Sequence, residues 1–137
     1  MSETPNILAP FTIHSSFHKG ARYLPLDLIT TDLEGTGRGI LTKIVNVIDD
    51  DIIMIAASAP CWPYANVDPI PQMAALATEA GLWMHVDACV GGYISPCLEK
   101  HGTPLTPCEF RSLRVMSTSA APHRLTYCPK PTSTMYW

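Results

Sequence analysis

Residues 52–86 read IIMIAASAPCWPYANVDPIPQMAALATEAGLWMHV, two apolar runs with a helical pattern between them. The first run, IIMIAASA, is continuous rather than alternating, as in a strand covered on both faces within a parallel sheet. The helix that follows is strongly signalled. Asp68 stands at the N-cap, Pro69 at the first helical position, Ile70, Met73, Ala74 and Ala77 form an inward stripe, and Gly81 marks the end. Residues 82–86 form the next buried strand. Strand, helix and strand at this spacing make a βαβ unit, so the fold class is α/β, with a mostly parallel sheet flanked by helices.

Upstream, residues 6–12 and 26–31 read as strands, with a short helix at 16–24 between them. GTGRG at 35–39 precedes a helical pattern carried by Ile40, Ile44, Val45 and Ile48, which the acidic residues Asp49, Asp50 and Asp51 close. That glycine stretch lacks the dinucleotide spacing GxGxxG and the Lys-Ser/Thr of a phosphate loop, and reads as a plain turn. With 137 residues, no internal repeat and no linker composition, residues 1–137 are expected to form a single unit or a piece of one.

The formal net charge is -3, and the nine Lys and Arg are scattered, which excludes a nucleic-acid surface. No apolar run reaches membrane-spanning length, and the N-terminus lacks the order of a signal peptide, so a cytoplasmic protein is expected. The five cysteines form no CxxC pair and leave an odd number, which fits reduced thiols better than disulfides or zinc. Charged residues make up 15% of the chain against a usual value of about 25%, while apolar residues reach 47%. A surface this short of charge points to burial in a homo-oligomer or against a complementary chain, or to a piece cut from a larger body that covered those faces.

MHVDACVGG at 84–92 carries the chemistry. The strand at 82–86 ends at the carboxyl edge of the sheet, where open α/β sheets bind ligands. Asp87 then either directs its carboxylate into that site or caps the next segment; the residues alone leave both open. Gly91 and Gly92 let the backbone pass close to a ligand or turn sharply. His85, Asp87 and Cys89 share a strand face but mix hard and soft donors without a fourth partner, so a metal site is not expected.

HVDACVGG, together with ASAPCWPYANVDPI, IHSSFHKGARYL and MSTSAAPHRLTYCPKPTSTMYW in this order, closely resembles the group II pyridoxal-phosphate-dependent decarboxylases, nearest their sphingosine-1-phosphate lyase-like branch. The match covers almost the whole chain but only the middle of the family's large domain. It implies part of the PLP-dependent transferase (type I) fold, with pyridoxal 5'-phosphate as cofactor and a small-molecule amine as substrate. It also implies four cofactor-binding positions. His14 matches the histidine lying against the pyridine ring, Asp87 the carboxylate paired with the pyridine nitrogen, and His123 and Arg124 the loop in which the family carries His-Lys near the phosphate.

In that family the lysine forms a Schiff base with the cofactor aldehyde, and here its position holds Arg124. A guanidinium stays protonated to a pKa above about 12 and is no amine nucleophile. Lys130 is six residues further on, up to ~20 Å along an extended chain. No catalytic residue and no covalent attachment of the cofactor are therefore expected. The family also has aspartate at Ala121, glycine at Thr126 and at Ala65, and a leucine-proline-glycine turn where residues 112–114 read SLR. A glycine-rich phosphate segment and a small C-terminal domain of the family have no counterpart in the sequence. The resemblance thus implies a central fragment of a carbon–carbon lyase or decarboxylase, acting on amino acids or sphingoid-type phosphates in its lineage and inactive alone. The alternatives are a non-catalytic subunit-binding module and a truncated product without selected function.

Overall fold

The computed structural model describes residues 4–31, 38–103, 117–118 and 135–136. The elements run β1 (Asn6–Pro10), α1 (Ser15–Tyr23), β2 (Asp27–Thr31), α2 (Arg38–Val47), β3 (Ile52–Ser58), α3 (Ile70–Glu79), β4 (Trp83–Asp87) and α4 (Gly91–Lys100), followed by the short strands β5 (Ser117–Thr118) and β6 (Met135–Tyr136). All six strands join one sheet in the order β2-β1-β3-β4-β5-β6, and every neighbouring pair is parallel.

The continuous apolar reading of β3 has the expected cause. Ile55 and Ala57 enter one core with Ile70, Met73, Ala74 and Ala77 of α3, Ile44 of α2, and Met84 and Val86 of β4. Ala56 enters the other with Ile7, Ala9 and Ile13, against which Phe17 of α1 packs. β3 is thus covered on both faces over residues 55–58, while Ile53 before them is exposed. The strand expected to be buried at 82–86 is instead fully buried on one face only, with Met84 and Val86 inside and Trp83 exposed. Each large side chain fully buried here, such as Leu8, Ile55, Ile70 or Met73, stabilises the fold by about 2 kcal/mol through removal of its surface from water.

Two expectations are corrected. Asp68 does not cap α3: the cap position falls on Pro69, and no side chain bonds to the helix start. The Asp68 carboxylate instead accepts the backbone N–H of Ser58 at 2.7 Å. A carboxyl only 4% exposed needs a firm donor, and the end of β3 supplies one. The stretch 35–39, expected as a turn, gives Arg38 and Gly39 to α2, and its first three residues lie outside the described residues. Within α2 the stripe is carried by buried Ile44, while Val45 is exposed. Gly81 closes α3 as expected, in the left-handed region at φ 69° that glycine enters without a Cβ clash.

Candidate functional site

Because the sheet is parallel, the strands end on one edge, and β1, β3 and β4 are neighbours there. Their carboxyl ends enclose a cavity of about 610 Å³, within the size range of small-molecule sites. β1 leads into it through His14, β3 ends on it with Ser58, and β4 brings His85 and Asp87. Phe17, Cys61, Trp62 and Cys89 complete much of its lining.

His14 is also the N-cap of α1. Its Nδ1 accepts the Ser16 N–H at 3.3 Å and lies 2.9 Å from the Ser16 hydroxyl. A neutral ring accepting at Nδ1 carries its proton on Nε2. The helix start therefore orients an imidazole on the cavity wall.

Asp87 combines a local turn bond with a place on the cavity lining. Its Oδ1 accepts the Cys89 N–H at 3.1 Å, a local turn bond that leads the chain toward α4, and its side chain lines the cavity. The backbone around it is pinned: Asp87 lies opposite Ser58 in the β3–β4 register, and its carbonyl accepts the Ala59 N–H at 2.8 Å. The close approach expected toward a ligand is, at Gly91, toward the protein's own backbone instead. A Cβ on Gly91 would overlap the Ala59 carbonyl.

His85 lies two residues before Asp87 on the same strand and lines the same cavity. Burial, the larger effect, pulls its pKa below the ordinary histidine value, and the nearby Asp87 charge opposes the fall. Its ring meets that of Phe17 at a centroid distance of 5.6 Å.

The structure thus brings His14 and Asp87 together, whereas His123, Arg124, Ala121, Thr126 and residues 112–114 lie outside the described residues. Ala65 is described, and it sits at φ 55°, in the left-handed region where a glycine would be unstrained. Sequence reading missed Phe17, Ser58 and Trp62 as wall residues. Phe17 had a usable signal, one helical turn after His14; Trp62 had none, because only the folded 59–69 loop carries it to the cavity.

The pyridoxal-dependent decarboxylase conserved domain matches residues 1–137. The chain belongs to the pyridoxal-dependent decarboxylase family. It is 35% identical over 136 residues to sphingosine-1-phosphate lyase 1 of Rattus norvegicus, covering 98% of this chain and 24% of that protein. It is 34% identical over 133 residues to the sphingosine-1-phosphate lyase of Dictyostelium discoideum, covering 96% of this chain and 25% of that one. Among solved structures, a sphingosine-1-phosphate lyase of Burkholderia pseudomallei superposes with a TM-score of 0.76 at 30% identity, over 93% of this chain and 30% of that one. A Lactobacillus brevis glutamate decarboxylase gives 0.71 at 19% identity, over 91% and 29%, which reports the fold alone. The sheet and its helices are part of the PLP-dependent transferase fold, and the chain spans about a quarter of the length of the curated relatives named here.

Membership in this family implies pyridoxal phosphate as the cofactor. The described residues fit it. The cavity is the right size for a substituted pyridine, an aromatic and apolar wall faces it from Phe17, Pro60 and Trp62, and a carboxylate and an imidazole stand on its lining. Among the described residues no helix is long and apolar enough to cross a membrane.

Proposed function

We propose that this chain carries the central part of the large domain of a pyridoxal-phosphate-dependent carbon–carbon lyase or decarboxylase, with its cofactor site in the cavity at the carboxyl edge. The observation that carries this reading is the convergence of His14, at the start of α1, and Asp87, at the end of β4, on one cavity. When bound, pyridoxal phosphate acts as an electron sink for a carbanion beside an amine-bearing carbon. In this reading Asp87 faces the pyridine nitrogen and favours its protonated form, and His14 lies flat against the ring. Cys89 holds one carboxylate oxygen of Asp87, so the carboxylate keeps its direction. His123 and Arg124 belong to the loop nearest the phosphate, where the Arg124 guanidinium is suited to attract an anion but not to attach the cofactor covalently.

The chain is accordingly proposed to bind the cofactor without turning over amino acids or sphingoid phosphates. Titration with pyridoxal 5'-phosphate, followed by tryptophan quenching, tests this. Asp87→Asn should weaken binding about tenfold or more, the loss of one charge-assisted contact. Equal affinity of wild type and variant would remove Asp87 from the site.

A second reading is supported by the exposed Phe11, Trp62, Tyr64, Tyr93 and Ile94, a set of large apolar side chains on a chain poor in charge. In it the chain is a module that pairs with another copy or with a complementary chain, in the cytoplasm. Sedimentation at tens of micromolar separates the two readings: a stable monomer that binds pyridoxal phosphate would discard the second.

A further inference from the structure

The cavity wall between β3 and α3 is the loop at residues 59–69, and it is closed at its base by a reciprocal pair of bonds. Ser58 donates its N–H to the Asp68 carboxylate at 2.7 Å, and Asp68 donates its own N–H to the Ser58 carbonyl at 3.0 Å. Within the loop, Cys61 donates to the Asn66 carbonyl at 2.8 Å, and Ala65 to the Cys61 carbonyl at 3.0 Å. Ser58, Pro60, Cys61 and Trp62 line the cavity, while Asp68 itself is buried behind them. A buried carboxyl that caps no helix and is not on the lining of this cavity is costly to keep unless its bonds hold something in place.

We infer that Asp68 is a positioning residue, which through Ser58 fixes the base of the 59–69 loop and so sets the Pro60–Trp62 wall against Asp87. The mechanical link is short. Ser58 is the register partner of Asp87, and the next residue, Ala59, is bonded to the Asp87 carbonyl at 2.8 Å and pressed by Gly91. Movement at the Ser58–Asp68 pair is therefore passed directly to the carboxylate that would face the cofactor ring. This role deepens the cofactor-site reading and rests on it.

The same pair responds to pH. Burial raises the Asp68 pKa to about 6, with the Ser58 N–H pulling the other way, and among the described residues no ionisable side chain adds to the shift. Its bonded surroundings are backbone: the end of β3 at Ser58 and the start of α3, where Ile70 donates to the Asp68 carbonyl at 2.7 Å. Above that pH the desolvated charge favours hydration, and hence opening of the loop. Below it the neutral acid stays enclosed.

Trp62 reports on the wall. With Trp83→Phe and Trp137→Phe it is the one tryptophan left of the three. Acrylamide quenching without ligand, and pyridoxal phosphate affinity, are compared in this background with Asp68→Ala and Asp68→Asn at pH 5 and 7.5. Asp68→Ala should raise Trp62 quenching and weaken pyridoxal phosphate binding about tenfold. Asp68→Asn keeps an acceptor for Ser58, so it should restore most of that affinity and lose the rise in quenching that the parent shows between the two pH values. Parent-like quenching in Asp68→Ala, or persistence of the pH-dependent rise in Asp68→Asn, would overturn the inference. If Asp68→Ala does not fold, the Asp68→Asn comparison decides alone. Failure of the parent to bind pyridoxal phosphate would discard the cofactor reading, and the ligand-free quenching would still decide the role of Asp68.

Discussion

Phe17 and His85 meet ring to ring at 5.6 Å with a tilt of 57°, and this contact joins the elements that carry His14 and Asp87. Phe17 lies one helical turn beyond His14 in α1, and His85 lies two residues before Asp87 in β4. The pair therefore sets how far apart the two cavity walls stand. Phe17→Ala should cost about 2 kcal/mol in urea unfolding, near the low end for aromatic truncation because Phe17 is half-buried. Phe17→Leu should recover most of that stability while losing the ring contact. Pyridoxal phosphate affinity that falls in both variants would show that the ring contact, and not stability alone, sets the gap.

Ala65 is a non-glycine residue at φ 55°. An L side chain in the left-handed region is disfavoured by roughly 1–2 kcal/mol, while glycine gains chain entropy when unfolded by about 0.5–1 kcal/mol. Ala65→Gly should therefore stabilise the protein by about 0.5–1 kcal/mol, read as a higher urea midpoint at unchanged slope.

Glycine substitutions should have opposite signs at two sites. A Cβ at Gly91 collides with the backbone of Ala59, which cannot yield while its N–H is bonded to Asp87. Gly91→Ala should destabilise by about 2 kcal/mol or more, typical of overpacking against a fixed group. Gly20, in α1, has nothing within 4 Å of its would-be Cβ. Gly20→Ala should gain about 0.5–1 kcal/mol from helix propensity. Thermal melts of the two variants check both signs.

The pH dependence of stability should divide between Asp68 and His85. Asp68 has a folded-state pKa of about 6, above the 3.8 of an exposed carboxyl, so its contribution is complete below pH 3.8 and is lost as pH rises toward 6. About two pKa units correspond to roughly 3 kcal/mol. His85 runs the other way: its folded pKa lies below 6.5, so its contribution is present above pH 6.5 and is lost as pH falls through the folded value. Asp68→Asn removes the first effect and leaves the second. Wild type should therefore lose stability relative to Asp68→Asn as pH rises from 4 to 6, and denaturant titrations across that window measure it.

How legible this was from sequence depended on whether the decisive partners were local. β3 and α3 were readable because burial on two faces over residues 55–58 and a 3.6-residue stripe are written in consecutive residues. β4, expected to be buried, instead alternates between buried Met84 and Val86 and exposed Trp83. The site followed from Asp87 at a strand end. Asp68 was misread because its true partner, Ser58, lies ten residues back across a loop, while the helix it borders lies immediately ahead. α4 went unassigned: Gly91, Gly92 and Pro96 all disfavour a helix, and only the packing against Ala59 gives Gly91 its reason. β5 and β6, two residues each, are too short to carry any period.

The remaining prediction concerns Arg124. A guanidinium cannot supply the amine through which this family attaches its cofactor, so borohydride treatment of wild type with pyridoxal phosphate should leave no reduced pyridoxyl group at that residue. Arg124→Lys restores an amine next to His123 and should accept the label if that loop reaches the cavity of His14 and Asp87. Turnover should still be absent. On the proposed reading Ala121, Thr126 and Ala65 depart from the family pattern, and a reacting group displaced by ~1 Å can lose about 10²-fold in rate. Mass spectrometry of the reduced peptides, alongside assays for carbon dioxide and aldehyde with amino acids and sphingoid phosphates, checks each part. Turnover by the lysine variant would show that those substitutions leave the pocket competent, and turnover by wild type would refute the reading of Arg124 itself.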